Sequence, residues 1–488
     1  MFISCVKNNS SPIALAQLLL YQSSPLEIDA IVRILPSKRE VYKGHWAGQS
    51  VYAKKFLGEQ AVKYAQRDAT GVAHLQAAKI LTPRLLHQGR VQDSQAQVLI
   101  FAEVADAQNA EQVYQLANFD QRIRLANSLV LAVAQHHNAN LIQTDLYLKN
   151  FLVQGEKIYT LDGDGIRKYD QLSKRIALKN LSILLSKLDV LMLESHFSGM
   201  LDLYADARGW SNAPDVPGMQ KIVSAYRRRI ASRYAENKVF RTCTDVKVVH
   251  AKNIFVAVSN IFSSLNISLV PEQLDALIVS GKVIKNGRTC TVAATQCCDE
   301  KVVIKRYNIK SFWHGVNRAL RQSRAAVSWA NAHRLKLLDI ATVKPVALIE
   351  ERKFSLLGFS LRGKAYFLSE YIDAPDAAQF FAACDDKTSR ADTIKNIATL
   401  FYKLYLLKIS HGDTKATNIK IVNSQPVLID LDSMTQHSFA FFALKAHARD
   451  LRRFMQNWQD DQALYNGFVK TFKVIYAEHL PLKMAGIL

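Results

Sequence analysis

The chain has no apolar run of about 18 residues, the length that crosses a bilayer as a helix, anywhere in its 488 positions. The stretch beginning Leu181-Ser-Ile-Leu-Leu is cut short by Lys187, so no membrane span is expected. The N-terminus lacks the charged start, continuous apolar middle and small-residue cleavage site of a secretory signal, and a cytoplasmic location is expected. Cysteine is sparse. The six cysteines, including adjacent Cys297 and Cys298, show no CxxC or His-Cys spacing, which argues against zinc modules and a disulfide framework. Acidic residues are also short in supply, with 42 Asp and Glu against 63 Lys and Arg, a net charge of +21 and a pI near 9.6. Such an excess suits a polyanionic partner without naming it. Arg318, Arg321 and Arg324 recur every three residues, and Arg227 to Arg229 with Arg233 form a second cluster. The ordinary role of such groups is a solvated face. Against anionic headgroups each would add on the order of 1 kcal/mol.

What is present is a repeat. Asp145-Leu-Tyr-Leu-Lys-Asn150 leads to Asp162, and Asp413-Thr-Lys-Ala-Thr-Asn418 leads to Asp430. In both copies Asn lies five positions after the first Asp, and the second Asp twelve after that Asn (162−150 and 430−418). Between them lie an apolar run, a polar turn and a second apolar run, the pattern of a β-hairpin that presents its ends on one side. Phosphoryl transfer needs such a cluster. A carboxylate orients the attacking hydroxyl, while an amide oxygen and a second carboxylate hold Mg²⁺, a hard cation suited to oxygen donors. One Asp-x4-Asn arises by chance roughly once in several hundred residues, and a lone Asp or Asn more often caps a turn. The third Asp, the hairpin pattern and the repetition favour the chemical reading.

Both copies also supply a strand lysine upstream, where a nucleotide's phosphates would be gripped. Val302-Val-Ile-Lys305-Arg-Tyr307 matches Val51-Tyr-Ala-Lys54-Lys-Phe56, and the shared aromatic selects Lys54 over Lys55. A helix acid that pairs with this lysine is expected at Asp68 in copy one, where copy two has Ser328. Glycine is thin in the candidate phosphate loops, Lys43-Gly44-His-Trp-Ala-Gly48 and Lys285-Asn-Gly287-Arg-Thr-Cys-Thr291, though a hairpin turn can still aim backbone N–H groups inward.

The length exceeds that at which one core splits into two. A cut near 240 gives domains 1–240 and 241–488, a duplication too long in period for a solenoid. Apolar periodicity predicts helices through Leu125, Leu129, Ala132 and Val133, through Ile394, Ile397, Phe401, Leu404 and Leu407, and a closing helix with Leu464, Phe468, Phe472 and Ile475 on one face.

These motifs, together with Leu161-Asp162-Gly-Asp164, His411-Gly-Asp413, Leu428-Ile-Asp430-Leu-Asp432 and Arg449-Asp450-Leu-Arg-Arg453, resemble the lipopolysaccharide kinase family of Gram-negative bacteria, which includes Kdo kinases and core heptose kinases. The resemblance implies an α+β, protein-kinase-like bilobal fold, here duplicated in tandem. It implies an ATP- and Mg²⁺-dependent transfer of phosphate to sugar hydroxyls of the lipopolysaccharide core, by a cytoplasmic protein held peripherally on the anionic inner-membrane surface. Asp145 and Asp413 would be catalytic bases, with Lys415 neutralising charge. Asn150 with Asp162 and Asn418 with Asp430 would hold Mg²⁺, and Lys54 and Lys305 would contact ATP phosphates. Copy one departs with Gln143 for His411 and Tyr147 for Lys415, although Lys149 is nearby. The competing classes are a pseudokinase or scaffold and a small-molecule phosphotransferase. A nucleic-acid partner is not expected, because it would leave the acidic repeat unexplained.

Overall fold

A computed structural model describes residues 16–251, 253–262, 270–297, 300–308, 322–356, 359–476 and 478–488. Arg318, Arg321 and Cys298 lie outside them. Helix and sheet are mixed throughout, and the chain divides into two compact units, Met1–Arg227 and Arg228–Leu488.

In the first unit, alternating apolar positions build an antiparallel sheet. Its order is Ala16–Leu18, Leu26–Leu35, Arg39–Trp46, Gln49–Phe56, Gln97–Ala102, Leu85–Arg90. Val51, Ala53, Val98 and Ile100 face one core. Phe56, Leu99 and Phe101 face another, against helix Ala61–Ala77. In chain order that helix falls between the third and fourth of the last five strands, and the final two then pair in reverse order.

The helical part of this unit packs Leu125, Leu129 and Val133 of helix Phe119–Asn138 against Leu181, Leu184 and Leu185 of helix Lys174–Leu185 and Tyr204 of helix Val190–Ala207. Leu146, Leu148 and Phe151 join the same core, so burial of the residues that follow Asp145 fixes the loop that carries it. Hairpin Phe151–Gln154/Lys157–Thr160 follows, and strand Leu141–Gln143 pairs with Ile166–Lys168.

The second unit repeats the five-strand order as Lys282–Asn286, Cys290–Cys297, Glu300–Tyr307, Phe359–Glu370, Pro345–Leu356, with helix Arg324–Leu337 in the corresponding place. Ile254–Ser259 and Val246–Ala251 extend the far edge. Below it come helix Lys387–Leu406, hairpin Ile419–Val422/Gln425–Leu428 and helices Ala440–Met455 and Gln462–Ile475. An aromatic cluster of Phe401, Phe454, Trp458, Phe468 and Phe472 holds them together. The periodic positions named above are buried in all three helices except Ile394 and Ile475. Helix Gln462–Ile475 does not close the chain, because Leu480–Ala485 follows.

The basic cluster near residue 230 is not uniformly solvated. Arg227 is buried and donates to the carbonyls of Ser186 at 3.2 Å and Leu188 at 2.9 Å, and burial lowers its pKa to about 10. Those carbonyls lie at and beyond the C-terminal end of helix Lys174–Leu185, where a cation satisfies groups the helix leaves open.

Candidate functional site

In the first unit Lys54 stands in register with Val41 and Leu99. Its Nζ donates to Asp68 Oδ2 at 2.7 Å and to Asp162 Oδ1 at 3.3 Å. Strand alternation sends Lys55 elsewhere, to Glu40 at 3.2 Å. Burial opposes the charge on Lys54, but Asp68 and Asp162 outweigh it and hold the pKa above its ordinary value. Burial pushes the Asp68 carboxyl up, and Lys54 draws it back only in part. For Asp162 burial is the larger single influence, yet Lys54 and Arg39 together hold its pKa down.

The second unit builds the same junction differently. Lys305 Nζ donates to Asp430 Oδ1 at 2.5 Å and to Asp432 Oδ2 at 2.8 Å. Asp432 also accepts from Tyr307 Oη and from Arg324 Nη2, each at 2.9 Å. Ser328, at the position of Asp68, bonds Tyr307 Oη at 3.0 Å. The acid that steadies the lysine therefore comes from the Asp-x-Asp turn rather than from the helix. Burial opposes the charge of both Lys305 and Asp432, but Tyr307, Asp430 and Asp432 together raise the lysine's pKa, and Lys305 with Arg324 lowers that of Asp432. Asp164, the counterpart of Asp432, is held by Arg67 Nε instead.

The two Asp-x4-Asn loops share their backbone. Leu148–Asn150 and Ala416–Asn418 are single 3₁₀ turns. The side-chain Nδ2 of Asn150 donates to the Asp145 carbonyl at 2.7 Å, and that of Asn418 to the Asp413 carbonyl at 2.9 Å. Leu161 N bonds Asn150 O at 2.8 Å and Ile429 N bonds Asn418 O at 3.0 Å, so the hairpin brings each Asn beside the next acid. Asp162 and Asp430 both adopt left-handed backbone, at φ 66° and 60°, a conformation that Asp tolerates better than most residues. Gln143 Nε2 donates to Leu161 O at 2.9 Å where His411 Nε2 bonds Ile429 O at 2.9 Å. One side chain thus substitutes for the other on the same latch.

Around the first Asp the units diverge. Asp413 Oδ1 accepts from Arg453 Nε at 2.9 Å, and Lys415 Nζ lies 3.6 Å from Oδ2. The Asp450 carboxylate accepts from the backbone amides of His411 at 2.6 Å and Gly412 at 3.1 Å. In the first unit Asn180 takes that place, donating to Gln143 O at 2.9 Å, and Ile183 stands where Arg453 would be. Lys149 and Lys187 both lie over the Tyr147 ring, at 5.1 and 3.7 Å. Burial lowers the Lys187 pKa to about 8, with Asp145 opposing the shift.

One loop expectation is corrected. Gly44 to Gly48 leads into the turn between the second and third of the five strands, at the end away from Lys54. The turn matching Gly287 is at residues 36–38, which carry no glycine, and Arg39 just after it approaches Asp162 Oδ1 at 3.5 Å. Arg39, Arg324, Tyr307, Asp432 and Arg453 were not singled out as site residues from sequence. Two of them carried a usable signal, Asp432 in the Asp-x-Asp repeat and Arg453 in the Arg449-Asp450-Leu-Arg-Arg453 motif.

No group of three or more His, Cys, Asp or Glu that could hold a metal is assembled among the described residues. Asn418 with Asp430, and Asn150 with Asp162, are pairs of oxygen donors. They fit Mg²⁺, which is commonly held by one or two carboxylates together with substrate phosphates and water.

A lysine on the central strand, an Asp-x4-Asn loop and a second Asp at the end of a hairpin are the parts of a phosphotransferase site. Residues 279–472, within the second unit, match the Lipopolysaccharide kinase (Kdo/WaaP) family. No curated protein matches the chain.

Proposed function

We propose that the second unit is an ATP-dependent kinase that phosphorylates a sugar hydroxyl of the lipopolysaccharide core, heptose or Kdo, at the cytoplasmic face of the inner membrane. The observation that carries this reading is the assembly of Lys305, Asp430, Asn418 and Asp413 within the segment similar to lipopolysaccharide kinases. ATP with Mg²⁺ would supply the phosphoryl donor and neutralise charge on its phosphates. Asp413 would orient the acceptor hydroxyl and take its proton. Asn418 and Asp430 would hold the cation, Lys305 would bind phosphate oxygens, and Lys415 and Arg453 would offset negative charge beside Asp413.

The first unit holds Lys54, Asp68, Asp145, Asn150 and Asp162 in a corresponding arrangement, which supports a tandem pair of kinase-like domains. A non-catalytic, scaffolding first unit is the second reading. Tyr147, Asn180 and Ile183 favour it, since they stand where the second unit has Lys415, Asp450 and Arg453.

The test is core phosphate content, measured by mass spectrometry in a deletion strain complemented with wild type, Asp145→Ala or Asp413→Ala. Loss of one phosphate with Asp413→Ala supports the proposal. An unchanged core in every strain, the deletion included, rejects it.

A further inference from the structure

Three phenylalanines cluster on the surface of the second unit at the start of helix Ala440–Met455. Phe439, Phe441 and Phe442 are 69, 59 and 59% exposed, with ring centroids 6.2 Å apart for Phe439 and Phe442 and 5.7 Å for Phe441 and Phe442. Exposed aromatic rings are common singly, but three together form a patch that calls for a partner. They add little to the fold. Phe439 occupies the N-cap, where Ser, Thr, Asp or Asn would accept a hydrogen bond from the helix, and no side chain caps it. The matching stretch of the first unit, Tyr169-Asp170-Gln171-Leu172, has no such cluster, and Ser173 caps the helix after it.

The surroundings are basic. Lys445 Nζ sits 4.3 Å from the Phe441 ring centroid, and Arg228 reaches the adjoining Ser438 carbonyl at 2.6 Å. Residues 441, 445, 449 and 453 are spaced by four, so Phe441, Lys445, Arg449 and Arg453 lie along one face of the helix, which ends at Asp413. The helix's one acid, Asp450, is buried. Rings flanked by cations match the lipid–water interface, where aromatic side chains settle at headgroup level and basic ones meet anionic phosphates. No helix among the described residues is long and apolar enough to cross a membrane.

The geometry points to this patch as a docking surface for an anionic lipid bilayer, with Phe439, Phe441 and Phe442 entering the interface and Lys445 and Arg449 meeting headgroup phosphates. Its purpose rests on the proposed membrane-embedded acceptor, because the same helix face leads to Asp413. Its binding test requires no phosphate transfer.

The experiment is co-flotation of the full chain with phosphatidylethanolamine–phosphatidylglycerol vesicles (3:1) and with phosphatidylcholine vesicles. Wild type should float with the anionic vesicles at least tenfold better than with the neutral ones. The triple variant F439S/F441S/F442S should lose at least tenfold of that binding with an unchanged circular dichroism spectrum, and Lys445→Glu should lose severalfold. Equal flotation of wild type and triple variant overturns the proposal, as does failure of wild type to bind anionic vesicles or equal binding to both lipids. Dimerisation of wild type that the triple variant lacks, without flotation, would assign the rings to a second copy instead. Phosphate transfer is scored separately on detergent-dispersed glycolipid. Flotation without any transfer leaves the docking surface standing and removes the kinase reading.

Discussion

Lys305 and Asp432 lie 2.8 Å apart and form the ion pair that in the first unit joins Lys54 to Asp68. The acid has moved from the helix to the turn after the hairpin, and Arg324 has joined it from the helix at 2.9 Å. The requirement preserved is a buried carboxylate that holds the lysine in position. Its location in the chain is free to change.

Asp432→Asn should therefore weaken nucleotide binding in the second unit by about tenfold, the size of one lost charge-assisted contact. Ser328→Ala should change it by less than about threefold, because a neutral hydrogen bond contributes about 1 kcal/mol or less. Titration of a fluorescent ATP analogue into chains that also carry Lys54→Ala isolates this site. Equal losses for both variants would return the lysine-positioning role to the helix.

The surroundings of the two candidate bases predict unequal activity. Asp413→Ala should lower transfer to purified core glycolipid by about 10³-fold or more, equivalent to about 4 kcal/mol of barrier, while Asp145→Ala stays within about threefold of wild type. A comparable loss with Asp145→Ala in labelled-phosphate assays would show that both units act.

The Gln143 and His411 latches are geometrically equivalent, each 2.9 Å from the carbonyl before the second Asp. His411→Gln should retain most of the stability and activity of the second unit. His411→Ala leaves the Ile429 carbonyl without this donor and should cost about 1–3 kcal/mol, read as a drop in its melting temperature. Equal damage from both substitutions would show that ring packing, rather than the hydrogen bond, is what matters there.

In the first unit, helix Ala61–Ala77 meets the Asp162 turn through two glycines. A Cβ on Gly71 would lie 1.9 Å from the Gly163 carbonyl oxygen, and one on Gly163 would lie 2.1 Å from the Asp68 carbonyl oxygen. Gly71→Ala must push the helix away, loosening the Lys54–Asp68 pair, and should destabilise this unit by about 1–3 kcal/mol. Gly199→Ala, where a Cβ meets nothing within 4 Å, should be neutral or stabilising by up to about 1 kcal/mol. Thermal melting of the two variants checks the contrast.

The parts legible in the sequence were those whose spacing the backbone imposes. Asp145 and Asn150, or Asp413 and Asn418, are joined by one 3₁₀ turn, and a hairpin of fixed length delivers Asp162 or Asp430. Lys54 and Lys305 were legible because each ends a short apolar strand run and precedes an aromatic, Phe56 or Tyr307, by two positions. Asp432, Arg324 and Arg39 were not, because their roles arise from contacts across elements. Arg324 and Asp432 are 108 positions apart (432−324), and no local periodicity links them. The placement of the glycine-poor turn at residues 36–38 depended on strand order, which the sequence pattern alone does not specify.

Acid should weaken the second unit through His447. This residue is fully buried, its Nε2 lies 2.8 Å from Tyr476 Oη, and its rings of contact are Phe401, Tyr405 and Tyr476. Burial lowers its pKa from 6.5 to about 3. The folded unit therefore keeps it neutral, while the unfolded chain takes up a proton below pH 6.5. Its stabilising effect is complete above that pH and is lost as pH falls toward 3. At about 1.4 kcal/mol per unit, acidification from pH 6.5 to 5 should remove about 2 kcal/mol through this one group. His447→Gln keeps a polar partner for Tyr476 but does not titrate, so its melting transition should shift less between pH 7 and pH 5 than that of wild type. An identical acid shift in the two proteins would mean that the sensitivity resides in other groups, such as the buried His333 of the same unit.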